Sequence, residues 1–325
     1  MSLYSPIVAA LVTFLLTHFL LSNKVAKKMQ DVPNERSLHS KPVPRIGGVG
    51  LLAGLLCGWA LMLSALVWWV VLPLLILFMV SLLDDMHSLP VKQRLLAHLL
   101  AAAIMVAGSG LYAQQGVVIA VAALLCTVWM TNLYNFMDGS DGLAGGMALF
   151  GFGMYGIAAL LSHNNPLALL NLCIAAAAAS FLYYNFHPAK IFMGDSGSIP
   201  LGFLAAAMGL WGWQQGSWAA WFPLLVFSPF IVDASITLLK RALRGARVSE
   251  AHREHYYQRL IQLGLGHRNV AIAEYVLMFA VGASALLVLN DPLPWQMLLA
   301  WGIVYACLML LLDARWNKFK RGTNV

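Results

Sequence analysis

The chain has 325 residues, of which 61% are apolar and only 10% are charged, with 20 Lys and Arg against 13 Asp and Glu. A soluble domain carries about 25% charged residues, so this composition excludes an ordinary soluble protein. It predicts an all-α, polytopic membrane helix bundle that forms a single domain over residues 1–325.

Eleven apolar runs are long enough to cross the roughly 30 Å hydrocarbon core, or most of it. The first run has no basic segment before it and no cleavage site after it, which predicts a retained helix. The second and third runs nearly fuse, and the eighth is short. The runs lie at 3–22, 46–64, 67–83, 95–109, 116–134, 142–161, 167–184, 198–212, 217–239, 270–289 and 295–313.

The positive charges predict the orientation of these spans. All 20 Lys and Arg fall on one side of the runs, in 23–45, 84–94, 185–197, 240–268 and the C-terminal end. The positive-inside rule makes that side cytoplasmic, with the N-terminus outside and the C-terminus inside. Because the excess charge faces the cytoplasm and anionic headgroups, the net charge of +7 requires no nucleic acid.

Carboxylates collect at the cytoplasmic ends of the spans. Asp84 and Asp85 follow the third run, Asp138 and Asp141 follow the fifth, and Asp195 precedes the eighth. One such residue is about as often a packing residue as a ligand. Three clusters on one face favour a functional site.

The stretch "NLYNFMDGSDGLAGG" predicts part of that site. Asn132, Asn135 and Asp138 are spaced i, i+3, i+6 and share a helix face, and the glycines that follow allow a turn. In "FMGDSGS", Asp195 lies near a predicted helix N-terminus, where free N–H groups favour anions. Oxygen ligands of this kind suit a hard cation such as Mg²⁺ together with phosphate.

The adjacent carboxylates Asp84 and Asp85 are expected to have different roles. Asp84 and Asp85 diverge by about 100° on a helix, so one is expected to face phosphate or metal while the other pairs with a cation. Lys92 and Arg94 could hold phosphate or neutralise an Asp. The alternative is that both anchor the fourth span at the cytoplasmic surface.

The segment 240–268 is long and basic. Ser249 is predicted to cap a helix over 249–263 that Gly264 ends. The helical spacing would place His252, His255, Tyr256 and Arg259 on one face. Such a face suits a nucleotide sugar, and the alternative is an amphipathic helix on the headgroups.

Five ordered blocks carry a family resemblance. In these blocks the chain resembles the polyprenyl-phosphate N-acetylhexosamine-1-phosphate transferases. Within that family it is most similar to the members that start O-antigen synthesis. Phospho-MurNAc-pentapeptide transferase is a related enzyme. The third and fourth blocks together are highly specific. The blocks are "DVPNERSLHSKPVPRIGG", "LLDDMHSLPVKQR", "NLYNFMDGSDGLAGG", "FMGDSGS" and "HREHYYQRL".

The resemblance implies transfer of an N-acetylhexosamine-1-phosphate from a UDP-sugar to undecaprenyl phosphate, with release of UMP, in the bacterial inner membrane. It implies catalytic loops at the cytoplasmic face (23–45, 84–94, 135–142, 185–197 and 240–268) and Mg²⁺, with Mn²⁺ as a substitute. The implied metal ligands are Asn135 and Asp195. The catalytic residues are then Asp84, Asp85, Asp195 and His255, and the resemblance places Asp138 and Asp141 in the nucleotide pocket. The other candidate substrate-binding residues are His39, Lys92, Arg94, Asn132, His252 and Arg259.

One block departs from the pattern. Relatives that make the GlcNAc-linked lipid have His-x-His-His, but here only His255 matches, and Tyr257 and Gln258 replace the other two. The departure favours a 6-deoxy or otherwise modified donor of the FucNAc or QuiNAc type over GlcNAc or the muramyl-pentapeptide donor, which stay open.

Two further classes of membrane protein share parts of this pattern. A secondary transporter would use Asp233 and Glu274 near the midplane, but we expect these two residues to be structural. A CDP-alcohol phosphotransferase is disfavoured because "DGSDGLAGG" lacks the Arg of that family's motif. For the oligomeric state, the sequence leaves a homodimer open beside a monomer.

Overall fold

The computed structural model describes residues 2–23, 29–33, 42–247 and 252–322. The first helix is α1 (Ser5–Ser22), and β1 (Gln30–Asp31) then pairs antiparallel with β2 (Val43–Pro44). The helices that follow are α2 (Gly47–Ala60), α3 (Trp68–His87), α4 (Val91–Gly108), α5 (Leu111–Phe136), α6 (Leu143–Leu161), α7 (Asn165–Asn185), α8 (Asp195–Gln214), α9 (Trp221–Val226), α10 (Ser228–Leu243), α11 (Tyr256–Leu260), α12 (Gly266–Leu287) and α13 (Trp295–Gly322).

The all-α membrane fold is confirmed. In the part of the chain that the structure describes, eight helices are long and apolar enough to cross a membrane, the one over Tyr256–Leu287 including α11 and α12. The predicted runs at 46–64, 198–212 and 217–239 correspond to helices that are shorter, less apolar or divided. The ninth run is divided at Phe227, between α9 and α10, because Pro229 begins a new helix.

Small residues on α2 allow this helix to pack closely against α1 and against the segment that precedes α8. Gly50, Gly54 and Gly58 form a stripe along α2 that packs against α1, and a Cβ at Gly54 would lie 2.0 Å from Thr13 Oγ1. Such stripes let helix backbones approach closely within a membrane. At the start of the same helix, the N–H groups of Gly47 and Gly48 donate to the carbonyl groups of Phe192 and Met193 at 3.0 and 2.8 Å. The "FMGDSGS" segment is thereby fixed to α2.

Candidate active site

The predicted carboxylates meet where four helices end. Asp84 and Asp85 lie at the C-terminal end of α3, Asn135 lies at the C-terminal end of α5, and Asp195 is the first residue of α8. Arg94, in the first turn of α4, completes the group. The alternating directions of these helices bring the four ends to one side of the bundle.

A single guanidinium joins two of the carboxylates. Arg94 Nη1 lies 3.0 Å from Asp84 Oδ2 and 3.2 Å from Asp195 Oδ2. Asp84 is buried, and its other oxygen accepts the N–H of Leu89 at 2.6 Å. Both oxygens of Asp84 are therefore engaged in holding the α3–α4 turn and Arg94. The prediction that one adjacent Asp pairs with a cation is met by Asp84.

Asp195 is also held from α5. The Asn135 amide nitrogen donates to Asp195 Oδ1 at 2.8 Å and to Ser198 Oγ at 2.9 Å. Since the nitrogen makes both of these bonds, the amide oxygen is the Asn135 atom left to ligate a cation. The predicted metal pair is thus brought into direct contact.

Asp85 has a different task from Asp84. Its two carboxylate oxygens accept the N–H groups of Asp195 and Ser196 at 3.0 and 2.9 Å. Gly194 precedes them with φ +71, and a Cβ there would lie 2.8 Å from Asp85 Oδ2. The anion predicted for the N-terminus of α8 is therefore Asp85 itself, which positions Asp195.

Replacing Asp85 by Asn tests this capping role. The amide can accept one N–H but presents its own NH₂ to the other, which leaves a buried donor unpaired at a cost of about 1–3 kcal/mol. We expect a lower melting temperature for the purified protein. Asp291→Asn is the matched control, because the one donor to Asp291 Oδ1 among the described residues is the exposed Leu293 N–H. Equal melting temperatures for both variants would contradict a capping role for Asp85.

Negative charge accumulates around Asp195. Burial, then the charges of Asp195 and Asp85, raise the pKa of Asp138 well above its usual range. Burial and the nearby carboxylates of Asp84 and Asp85 raise the pKa of Asp195, which precedes the predicted span at 198–212, to about 7. A divalent cation would relieve this repulsion.

The donor set fits Mg²⁺. In the described ranges no three side chains of the His, Cys, Asp or Glu type are already grouped to ligate one ion. Mg²⁺ often takes only one or two protein oxygens, with waters and substrate phosphates completing its shell. Asp195 and the oxygen of Asn135 supply that number.

Asp141 lies in a separate polar group in the turn between α5 and α6. Its Oδ2 is 2.6 Å from His187 Nδ1 and accepts the Ala189 N–H at 3.1 Å. The His187 ring is stacked on that of His267, which contacts Ser140 Oγ at 2.9 Å. Our sequence interpretation missed both histidines. The signal for His187 was its place in the polar segment "NFHPAK", between two spans.

An amphipathic cavity of about 620 Å³ opens beside the carboxylates. Its walls come from α4, α5, α8, α10 and the segment before α11. The polar lining consists of Arg94, His98, Asn132, Asn135, His252, His255 and Gln258, and the apolar lining includes Leu95, Leu125, Val128, Trp129, Ile199 and Leu238. One cavity thus joins a charged end to an apolar end.

His98 is a further residue that sequence analysis missed. It is buried one helical turn after Arg94, and its Nδ1 has no hydrogen-bond partner among the described residues. The i, i+4 spacing from Arg94 was the available signal. His98 therefore lies at the junction of the polar and apolar parts of the cavity.

The basic segment is organised differently from the prediction. The helix begins at Tyr256, and Ser249 lies outside the described residues. His255 precedes the helix, with its N–H donated to Gln258 Oε1 at 3.2 Å and its Nδ1 3.3 Å from Asp233. Burial, then His255 and Arg241, lower the pKa of His252 to about 4. His252 therefore presents a largely uncharged ring to the cavity.

The predicted common face of His255 and Arg259 is wrong. Arg259 Nη1 is 2.9 Å from Asp313 on α13, and Arg259 does not line the cavity. The helix starts after His255 because Asp233 accepts the N–H groups of Tyr256 and Tyr257 at 2.9 and 3.0 Å. Asp233 thus has the structural role expected of it.

The two remaining predicted residues are Lys92 and His39. Lys92 is exposed at the start of α4, and no contact joins it to these carboxylates within the described part of the chain. His39 lies outside the described residues.

Comparisons with known proteins identify a matching family and several relatives. Residues 67–212 match the pattern of glycosyl transferase family 4. The chain is 30% identical to the probable undecaprenyl-phosphate N-acetylglucosaminyl 1-phosphate transferase of Bacillus subtilis, over 89% of this chain and 86% of that one. It is 26% identical to the undecaprenyl-phosphate alpha-N-acetylglucosaminyl 1-phosphate transferase of Yersinia pestis, over 80% and 77%. A phospho-N-acetylmuramoyl-pentapeptide-transferase of Chloroflexus aggregans is 32% identical over 52% and 48%.

Proposed function

Because the chain belongs to glycosyl transferase family 4, we propose that it transfers an N-acetylhexosamine-1-phosphate from a UDP-sugar to undecaprenyl phosphate and releases UMP. The observation that carries the proposal is the Asp84–Arg94–Asp195–Asn135 cluster at the charged end of an amphipathic cavity. A polyprenyl phosphate has the same two parts, a charged head and an apolar chain. The reaction would start a cell-surface glycan, such as O-antigen, at the cytoplasmic face.

The chemistry asks the protein for positioning and charge neutralisation. An oxygen of the acceptor phosphate forms a bond to the β-phosphorus of the donor, and the bond from that phosphorus to the bridging oxygen breaks, so that UMP leaves. A phosphate monoester has a second pKa of about 6, so the nucleophile is largely ionised at neutral pH. No strong base is required.

Each residue then has a definite task. Asp195 and the Asn135 oxygen would hold Mg²⁺, which neutralises and orients the donor pyrophosphate when bound. Arg94 lies between the carboxylates and the cavity, where it can neutralise the acceptor phosphate. Asp84 positions Arg94, and Asp85 positions Asp195. Asp138 and Asp141 lie in the turn after α5, where the nucleotide of the donor would bind.

The donor is best assigned as an N-acetylhexosamine, with GlcNAc supported by the relatives' names. The muramyl-pentapeptide relative aligns with only 52% of this chain, which makes that donor the weaker alternative. Tyr257 is fully buried and its hydroxyl donates to the Phe136 carbonyl at 3.2 Å, while Gln258 lines the cavity. Gln258 is therefore the better placed of the two replaced positions to contact the sugar.

A donor panel tests the function. Purified protein, Mg²⁺ and undecaprenyl phosphate are incubated with UDP-GlcNAc, a 6-deoxy UDP-N-acetyl sugar and UDP-MurNAc-pentapeptide, and UMP is measured. We expect UMP from at least one of the first two donors, and only when the lipid is present. UMP release from the pentapeptide donor alone would replace the proposal by its alternative, and no release from any donor would overturn it.

Metal affinity should depend on pH through Asp195. Because the pKa of Asp195 is raised to about 7, a proton competes with the cation below that pH and is largely absent above it. Calorimetric Mg²⁺ binding should be about tenfold weaker at pH 6 than at pH 8. Asp195→Asn should abolish this dependence together with binding. Unchanged pH-dependent binding in that variant would place the titrating ligand elsewhere.

A further inference from the structure

A second charged cleft lies on the other side of residues 252–260 (the catalytic segment), which carry His255 and Gln258 at the catalytic cavity. It has a volume of about 330 Å³ and lies at the C-terminal ends of α10 and α13, against α11. Four of its lining residues are cations and one is a carboxylate: Lys240, Arg244, Arg259, Lys320 and Asp313. Within the described ranges, the cleft shares no lining residue with the catalytic cavity.

Among the described residues, the cations of this region outnumber the carboxylates. Asp313 is the common partner of Lys240, of Arg259 Nη1 and of the Tyr256 hydroxyl. Outside the cleft, Glu254 pairs with Arg244 at 2.6 Å and with Arg241. These two carboxylates carry less charge than the cations around them, and an anion in the cleft would balance part of the excess.

The Arg259 side chain is held in one position at the cleft by its neighbours. It is only 6% exposed, and its guanidinium lies 4.9 Å from the ring centre of Tyr256 and 5.8 Å from that of Trp316. The buried Nε has no acceptor among the residues that the structure describes. A fixed guanidinium fork matches phosphate geometry better than a flexible ammonium does.

The surroundings favour a lipid as the source of that phosphate. Leu243 on α10 lines the cleft and is 78% exposed, and Leu239 on the same helix, next to Lys240, is 54% exposed. Trp316 lies at the level of the cations, where aromatic side chains mark the membrane interface. Cationic groups beside an exposed apolar wall match a phosphate head attached to acyl chains.

We propose that this cleft binds the phosphate headgroup of an anionic membrane phospholipid and that the bound lipid steadies the catalytic segment. The short helix α11 connects the two places. Arg259 lines the lipid cleft and Tyr256 contacts its charges, whereas Gln258 and the preceding His255 line the catalytic cavity. Lipid binding does not depend on the proposed transferase function, but the expected increase in turnover does.

Lipid retention tests the site without an activity assay. Delipidated protein is titrated with phosphatidylglycerol, and bound lipid is counted by native mass spectrometry. Removing two cleft cations in Arg244→Gln/Lys320→Gln should weaken binding about thirtyfold. Lys318→Gln/Arg321→Gln removes the same charge from the end of α13 without altering a lining residue of this cleft, and it should bind like the unaltered protein.

Each contrary result has a definite meaning. No retained phosphatidylglycerol, or equal weakening in both double variants, would overturn the site, because the latter would show only a diffuse surface attraction. Competition by millimolar inorganic phosphate would show a small-anion site and would overturn the lipid assignment.

In nanodiscs, anionic lipid should raise turnover of the control variant more than that of the cleft variant. Equal gains would overturn the coupling to the catalytic segment, while the binding result would stand by itself.

Discussion

Asp195→Asn is expected to lower kcat by about a thousandfold. This is the upper end of the loss caused by removing one preorganised electrostatic group from an active site. The substitution removes a carboxylate that contacts both Arg94 and Asn135. It preserves size and the N–H groups that Asp85 accepts, so folding should change little. Turnover is measured as UMP release at saturating donor and lipid, at the Mg²⁺ concentration that saturates the unaltered protein.

Asp291→Asn serves as the control for this loss. Asp291 lies in the turn between α12 and α13, at the opposite ends of the helices from the carboxylate cluster. It should retain the activity of the unaltered protein. Near-normal turnover in Asp195→Asn, with normal Mg²⁺ affinity, would remove Asp195 from the metal site.

Asp84→Asn should lower kcat by about a hundredfold, and by the same factor at pH 6 and pH 8. Both oxygens of Asp84 already hold Leu89 and Arg94, so the residue positions a cation and does not need to accept a proton. Arg94→Gln should cause a similar loss. Because the two residues act as a unit, the double variant should be much less impaired than the product of the single losses predicts.

A base role for Asp84 would give a different pattern. Asp84→Asn would then keep activity at pH 8, where the acceptor phosphate is fully ionised, and lose it at pH 6. Independent losses that multiply in the double variant would also separate Asp84 from Arg94. Either result would contradict the positioning role.

The sequence predicted the fold class well because a membrane imposes strong local rules. Apolar length and the one-sided distribution of Lys and Arg are visible residue by residue, and each predicted run corresponds to a helix or helix pair. The division at Phe227 was missed, since Pro229 lies inside a continuous apolar run. Apolarity alone does not reveal where a buried helix breaks.

The sequence indicated that Asp84, Asp85 and Asp195 belong to one site, but it did not reveal their individual tasks. The angle between Asp84 and Asp85 showed that they differ, whereas the partner of Asp85 is the N-terminus of α8, 110 residues away along the chain. Helical periodicity likewise placed Arg259 beside His255, but Asp233 from α10 starts the helix one residue after that histidine. Such long-range contacts are outside the reach of spacing arguments.

The central claim is that Asp195 and Asn135 hold the cation that binds the donor pyrophosphate. Electron paramagnetic resonance of Mn²⁺ bound in place of Mg²⁺, with UDP-GlcNAc present, tests this directly through the hyperfine coupling between the metal and ³¹P. We expect a ³¹P coupling in the unaltered protein and in Asp291→Asn, and its loss in Asp195→Asn at the same metal and donor concentrations. An undiminished coupling in Asp195→Asn would contradict the claim.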